Sequence, residues 1–445
     1  MGKFSFTSGR ITLGVVLAAG VAVAGAAVPA QAKTEKPKPE AKAAGKFSKE
    51  FAAAAQPLQI ALDKAKVAKA KGPAGQAELD AALAGTAAMM AAAEAAIQTP
   101  TDRLVAGQFA INLGGYNNDI KLRQRGAQYI VDSGQIGADK LPEFQYYLGN
   151  FAYANKDYAA AKTALAAAVA GKYPSDDAVE LLADSYVKAG DPAGGLAQIR
   201  SAVDARRAAG QTVPNNWLKR ANLIAYNAKL GPQAMDWAMT QVELYPTAFN
   251  WLGSTQLVRR FANYGPQENV DLFRLMQRTG AFNNDAQYVQ GEYKEYVEAL
   301  DARRLPGEVL KILDSGIAAG KLSASAPWVS EARATANGRI SSDKASLGGQ
   351  VASAKASPNG TAALSLADAY LNYSNAAQAE SLYQAAIAKG GIDKDRAYTR
   401  LGIAQVDQGK WAAAKDSFSK VGGTRLPLAK MWLIYVNQKM AGAAG

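Results

Sequence analysis

One frame of small and large apolar residues, recurring every 34 or 35 positions, constrains this chain more than any other feature of it. Leu148-Gly149 is followed by Ala152, Asp157-Tyr158, Ala161, Leu165 and Ala168, and Leu182-Ala183, 34 residues later, by Tyr186, Gly190-Asp191, Gly195, Ile199 and Ala202. Leu366-Ala367 opens the frame again with Tyr370, Ala379, Tyr383 and Ala386, and Leu401-Gly402, 35 residues on, with Gly409, Trp411, Ala414, Phe418 and Val421. Self-similarity at this period is what a stack of two-helix units leaves in a sequence. The small residue after each leading Leu, and another thirteen positions beyond that Leu, let two antiparallel helices approach closely, while the large residue at seventeen fills the gap to the next unit. Gly190-Asp191 and Gly409-Lys410 stand where a first helix has to end, and Pro174, Pro192 and Pro246 stand at helix boundaries.

The rest of the chain fits the same plan less closely. From about Phe47 onward, Ala-rich segments of 12 to 18 residues alternate with short Gly, Pro, Asn or Asp breaks, and alternating β-branched runs are missing. Ala favours helix over sheet, so the expected fold class is all-α, an α-solenoid of stacked antiparallel helix pairs over 47–440. Residues 47–133 predict two helix pairs interrupted by Pro57, Gly72-Pro73 and Gly114-Gly115. Trp217 to Pro246 has the length of a unit and Ala234 in place, and amphipathic helices with degenerate repeat character follow as far as Lys355. A linker could lie in 340–360, splitting the array into two arms, and Leu426 to Met440, with Trp432, reads as a capping helix that shields the last unit. Residues 441–445 form a tail.

The clear units, about 144–208 and 360–425, resemble tetratricopeptide repeats, LGNFAYANKDYAAAKTALAAAVAGKYP being a close match. The resemblance covers roughly a third of the chain beyond residue 32 and implies a right-handed superhelix whose first helices line a groove for an extended peptide or partner helix. Carried onto the best-matched unit, the groove positions are Glu143, Tyr146, Tyr147, Asn150 and Tyr153. Tyrosine there suits peptide contact, each ring offering area and each hydroxyl a hydrogen bond, although Tyr146 or Tyr153 could equally pack between units. The next unit presents Asp177, Glu180, Leu181 and Asp184, an acidic set that would suit a basic partner. The last unit presents Arg396 and Arg400, which match two basic positions of the carboxylate-clamp subgroup. Ser365 and Asp368 stand where that clamp needs Asn or Lys, so the two arginines read better as a solvated face.

The chain contains no His and no Cys. That excludes Ser-His-Asp and Cys-His nucleophiles, thiol redox centres, zinc fingers and nearly every transition-metal site, and it leaves no cofactor to expect. Gln378 to Tyr383 faintly resembles the Glu-Ser core of lytic transglycosylases, in which a Glu of raised pKa protonates a glycosidic oxygen. Ala379 and Tyr383 are core positions of the repeat, however, which predicts that Glu380 faces water and stays ionised. An all-α glycan-active envelope enzyme is therefore the alternative to a non-enzymatic scaffold, with no catalytic residue singled out. Asn112 to Gly115 and Leu347 to Gly349 lack the Lys-Ser/Thr of a phosphate loop. Arg206-Arg207, Arg259-Arg260 and Arg303-Arg304 read as helix-end or solvated pairs.

Lys3 and Arg10, the apolar run from Ile11 to Val28 and Ala30-Gln31-Ala32 make residues 1–32 an expected secretory signal peptide, with an uncleaved anchor as the alternative. No Cys follows for lipid attachment, so a periplasmic location is expected. Of the net charge of +12, removal of that segment leaves +10, and residues 33–72 carry +6 of it. The remaining +4 over more than 370 residues is no nucleic-acid footprint. The Lys/Pro-rich stretch 33–46 reads as an extended tether, and the Lys33–Lys71 segment as a spacer or a weak contact with an anionic envelope surface.

Overall fold

The structure, a computed structural model, describes residues 46–283, 285 and 289–442. The expected signal peptide, the tether as far as residue 45 and the last three residues of the tail lie outside the described residues. Within them are 21 α-helices, three short 3-10 turns and no strand, so the protein is all-α. No described helix is long and apolar enough to cross a membrane.

Five helices open the array: α1 (Lys49–Ala70), α2 (Gln76–Leu83), α3 (Thr86–Ala95), α4 (Pro100–Tyr116) and α5 (Ile120–Asp132). This differs from the two pairs expected. α1 runs unbroken through Pro57, and Gly114-Gly115 lies inside α4. Gly114 is there for close approach, since a Cβ would come within 2.7 Å of Asp119 O and Arg123 Cγ at the start of α5. The fully buried Asp102 ties the beginning of α1 to that of α4, accepting from Ser48 N at 3.1 Å, Ser48 Oγ at 2.8 Å and Thr99 N at 2.9 Å.

Three antiparallel pairs follow: α6 (Leu141–Ala154) with α7 (Tyr158–Ala170), α8 (Asp177–Lys188) with α9 (Pro192–Ala208), and α10 (Asn215–Asn227) with α11 (Gly231–Leu244). Next come α12 (Ala248–Ala262), packed on α11, and α13 (Pro266–Arg278). The pair α14 (Val289–Leu300) and α15 (Pro306–Ala318) leads to α16 (Pro327–Ala356). Then come α17 (Thr361–Asn372) with α18 (Ala376–Lys389), α19 (Lys394–Val406) with α20 (Trp411–Ser419), and finally α21 (Leu426–Met440). The expected linker at 340–360 is not a break. α16 is one helix of 30 residues, and it stops at Ser357 because the ring of Pro358 disfavours helical backbone in the residue before it.

The repeat frame works as its spacing demands. The small residues at thirteen, Ala161, Gly195, Ala379 and Ala414, are buried, and so are the large ones at seventeen, Leu165, Ile199, Tyr383 and Phe418. A Cβ on Gly149 would lie 2.4 Å from Leu165 Cγ, and one on Gly402 would lie 2.7 Å from the Phe418 ring. Eight positions after each leading Leu the chain turns through left-handed backbone, at Lys156 (φ 64°), Gly190 (86°), Ser374 (61°) and Gly409 (70°). The next helix then starts on a side-chain cap where the sequence offers one: Asp157 accepts from Ala160 N at 3.1 Å, and Asp191 from Gly194 N at 2.8 Å.

Past α12 the stack folds back on itself. Every residue from Val270 to Met276 in α13 is buried, so this helix is covered on all sides instead of lying in an outer row. α21 covers the last unit as expected, Trp432 stacking on Phe418 at 5.4 Å. It also reaches the earlier helices: Trp432 Nε1 donates to Asp271 O at 3.3 Å, and Gln438 Nε2 to Val242 O at 2.7 Å. α21 thus has an apolar face for α20 and polar groups that find partners on α11 and α13.

Substituting Gly149→Ala or Gly402→Ala should cost about 1–3 kcal/mol by overpacking the helix pair. Urea unfolding followed by circular dichroism would show a lower midpoint with unchanged helicity; an unaltered midpoint would contradict the close approach.

Candidate functional site

α6 carries three tyrosines, Tyr146, Tyr147 and Tyr153. Tyr146 stacks on Tyr173, centroids 4.6 Å apart and planes at 19°, and Tyr147 lies 6.0 Å from Tyr146. The Tyr147 hydroxyl donates to Glu143 Oε1 at 3.0 Å, and Tyr146 shares a hydrogen bond with Asn150. Tyr153 meets Tyr158 edge-on at 5.7 Å. All are partly buried, Tyr146 and Tyr153 having one edge on the core formed by Ala152, Ala161, Leu165, Leu181 and Leu182, so each both packs between units and faces outward. Burial, and then the neighbouring Glu143, push the Tyr147 hydroxyl up to about 12. Glu180 is likewise shifted upward, first by burial and then by Asp177.

Two of the expected acidic positions behave differently. Leu181 belongs to the core, and Asp184 is 3% exposed and clasped by Arg220 of the next first helix, whose Nε lies 2.5 Å from Asp184 Oδ1. Asp184 is thus already neutralised and offers no charge to a partner. Asp177, exposed, and Glu180, half-buried, keep theirs.

The Asp184–Arg220 contact belongs to a ladder that the small-residue frame did not reveal. Asp184 and Arg220 are 36 residues apart; Gln256 and Glu292, joined by a 2.6 Å hydrogen bond, continue at the same interval. On the second helices Arg207 pairs with Glu243, and Arg200 with Asp236, again 36 residues on. Arg206, from one of the expected solvated pairs, binds Asp176 and covers the Trp217 ring. The degenerate stretch is therefore a regular 36-residue stack marked by polar cross-links. These tie α8 to α10 and α12 to α14. Leu223, three residues after Arg220, and Phe249, seven before Gln256, share those helix faces and are 48% and 61% exposed. Tyr226 is 49% exposed and borders a cleft of about 440 Å³ shared with Gly253, Gln256, Leu257, Arg259 and Arg260.

Arg396 and Arg400 are not part of this face and are not solvated. Arg400 is 2% exposed; its Nε lies 3.2 Å from Asp271 Oδ1, its Nη1 2.7 Å from Asp368 Oδ2 and its Nη2 2.7 Å from Gln267 Oε1. Arg396 binds the same Asp368, whose other oxygen accepts from Tyr383 at 2.7 Å. Asp271, fully buried, also receives Arg274 at 2.9 Å and Arg425 at 2.7 Å. Arg274 in turn grips Glu308 bidentately at 2.8 and 2.5 Å, and Arg425 reaches Glu268 at 2.9 Å. Four arginines (274, 396, 400, 425) thus meet four carboxylates (268, 271, 308, 368). The basic positions that resembled half a clamp are spent internally. The reason is the fold-back, which places α19 and α21 against the polar edge of α13.

Burial pushes the carboxyls of Asp271, Glu308 and Asp368 up, but the surrounding arginines outweigh it, holding all three below their ordinary values, Asp271 at about 2. The expected orientation of Glu380 is also corrected. It is 8% exposed, and it accepts from Gln405 at 3.2 Å, Gln408 at 2.8 Å and Lys410 at 2.6 Å. Burial raises its pKa, but these donors outweigh burial and lower it overall, so Glu380 is an ionised acceptor. Among the described residues no group of three or more acidic side chains is placed to hold a metal ion.

A scan against models of known protein families finds no match, and a search of curated proteins finds no similar sequence.

Asp271 is lowered from 3.8 to about 2, so its contribution to stability is complete above pH 4 and is lost as pH falls toward 2. Asp271→Asn should cost about 3–5 kcal/mol at neutral pH, because it leaves three buried arginines short of an anion. It should also flatten the pH dependence of unfolding between pH 4 and pH 2, read from urea midpoints at a series of pH values.

Proposed function

We propose that this protein is a non-enzymatic, exported scaffold of tetratricopeptide-repeat type that binds another protein along its first helices. The observation that carries the reading is the row of helices α6, α8, α10 and α12, on which Tyr147 is partly exposed and Leu223 and Phe249 are largely exposed. Apolar and aromatic side chains in line on stacked helices suit an extended peptide or an amphipathic helix, since each ring gives contact area at little rotamer cost. The resemblance of 144–208 and 360–425 to that family supports the same use of first helices. A signal peptide at 1–32 would put the scaffold in the cell envelope.

The glycan-active alternative loses support from the state of its carboxylates. Glu380 is held ionised by three donors, and the buried carboxylates around α13 are each matched by arginine, so none is poised to give up a proton.

A photo-crosslinking residue placed at Tyr147, Leu223 or Phe249 should capture one common partner from envelope material, while the same probe at Lys69, on the exposed side of α1, should not. Capture from Lys69 alone, or of unrelated proteins from the three face positions, would remove the scaffold reading. Purified protein should release no fragments from peptidoglycan; release abolished by Glu380→Gln would replace the reading with the enzymatic one.

A further inference from the structure

Of the seven large apolar side chains exposed among the described residues, three, Leu223, Tyr226 and Phe249, stand on α10 and α12. These two helices are held in register. Gln241 of α11 accepts from Asn222 Nδ2 of α10 and donates to Asn250 Oδ1 of α12 at 3.3 Å, while Tyr226 meets Phe261 edge-on at 6.1 Å. Leu223 and Phe249 each lie one helical turn before a residue that lines the cleft, Tyr226 and Gly253. Phe249, Gly253, Leu257 and Arg260 recur at helical spacing and share one face of α12. Gly253 is the one member of that row without a side chain, and a Cβ there would meet nothing within 4 Å. Glycine inside a helix is destabilising relative to alanine, and no close approach within the described chain accounts for it here. The space over Gly253 is open to a partner.

The charge around this cleft has one sign. Neither α10 nor α12 contains an acidic residue, whereas together they carry Lys219, Arg220, Arg259 and Arg260. Acids of the neighbouring helices take two of the four: Asp184 of α8 binds Arg220, and Glu292 and Glu295 of α14 bind Arg259 at 3.0 and 2.8 Å. Lys219 and Arg260, both exposed, have no ion pair among the described residues. Arg260 lines the cleft, and Lys219 precedes Leu223 by one turn on the same face of α10, so a free cation stands at each end of the apolar surface. Carboxylates placed on either side of one apolar side chain would meet both cations. An unbroken row of phosphates would find no third free cation on these two helices.

We infer that the occupant of this cleft is a segment of a partner protein carrying a large apolar side chain flanked by Asp or Glu, the apolar group seated over Gly253 beside Tyr226 and Leu257 and the carboxylates facing Lys219 and Arg260. This rests on the scaffold reading and names the chemistry of its partner. The chain's net charge of +12 attracts any polyanion, so what distinguishes the cleft is its need for apolar and acidic groups together.

Fluorescence anisotropy of the full chain with labelled octamers in which Glu alternates with Leu, Glu with Ser, or Lys with Leu tests the inference. The Glu/Leu octamer should bind at least about tenfold tighter than the other two, a difference that burial of one large apolar side chain supplies. Gly253→Leu, which fills the cleft at a position where a Cβ meets nothing, should bring Glu/Leu binding down to that of Glu/Ser. Lys219→Glu with Arg260→Glu should reverse the preference between Glu/Leu and Lys/Leu. Lys66→Glu with Lys69→Glu, the same change of net charge on the exposed side of α1, should leave that preference in place. Circular dichroism checks the fold of each variant, and the charge reversals, made on exposed side chains, decide the matter if Gly253→Leu disturbs it. Equal binding of Glu/Leu and Glu/Ser, a Glu/Leu preference that survives Gly253→Leu, or equal effects of the two charge reversals overturns the inference. So does tighter capture of oligothymidylate or of phosphatidylglycerol vesicles than of the Glu/Leu octamer. A preference for Lys/Leu that is lost in Gly253→Leu overturns the acidic partner while leaving the docking face intact. Failure of the crosslinking at Tyr147, Leu223 and Phe249 is the separate sign that the face itself is wrong.

Discussion

A single carboxylate, that of Asp271, sits where the two ends of the C-terminal half meet, and the closure of that half depends on it. α13 is covered on every side, so its polar residues cannot be hydrated; they must be matched by other parts of the chain or the helix cannot be buried. Arg274 comes from the same helix, Arg400 from α19 and Arg425 from the turn before α21, three segments that are distant in sequence. Removing two charges from water gives no net gain unless the geometry is good. What the cluster supplies is a condition that only one arrangement of α13, α19 and α21 satisfies. Apolar contacts such as Trp432 on Phe418 then carry the stabilisation within that arrangement.

Neighbouring helices elsewhere are held by a simpler rule. A glycine or alanine on one helix faces a large side chain on the other, as Gly149 faces Leu165 and Gly402 faces Phe418, and the next pair stacks on the result. Between these well-packed ends the middle of the array uses Trp217, Trp237 and Trp251, all buried, as its large residues. There the units are kept in step by polar links at an interval of 36. Bulkier cores and polar ties leave more side chain at the surface of the first helices, which is why the exposed Leu223, Tyr226 and Phe249 occur in this stretch and not in the Ala-rich units.

Charge is arranged differently around α13 and on the first helices of the N-terminal units. Around α13 four arginines meet four carboxylates, all but Arg396 and Glu268 buried, so that Arg400 and Asp368 are matched inside the protein. On α8 Asp177 is exposed and Glu180 half-buried, while Asp184 is held by Arg220.

Helix content, unit length and the tyrosines of α6 could be read directly from the sequence, because they follow from local spacing: Leu148, Ala161 and Leu165 fall where a helix pair needs them whatever the rest of the chain does. The same reasoning failed where sequence neighbours do not decide the environment. Pro57 and Gly348-Gly349 looked like breaks, yet they lie inside helices. Asp184, Arg396, Arg400 and Glu380 looked solvated on the helical period, yet each is bound to a residue 25 to 129 positions away, and all but Arg396 are buried. A 36-residue series of polar residues, Asp184, Arg220, Gln256 and Glu292, was present to be found, but it is invisible to a search framed on small residues. By itself the sequence determined that this chain makes stacked helical hairpins with an aromatic first helix, since period and side-chain volume are local quantities. Only the tertiary structure decided which charges remain free, since a charge is neutralised by whatever the fold brings beside it.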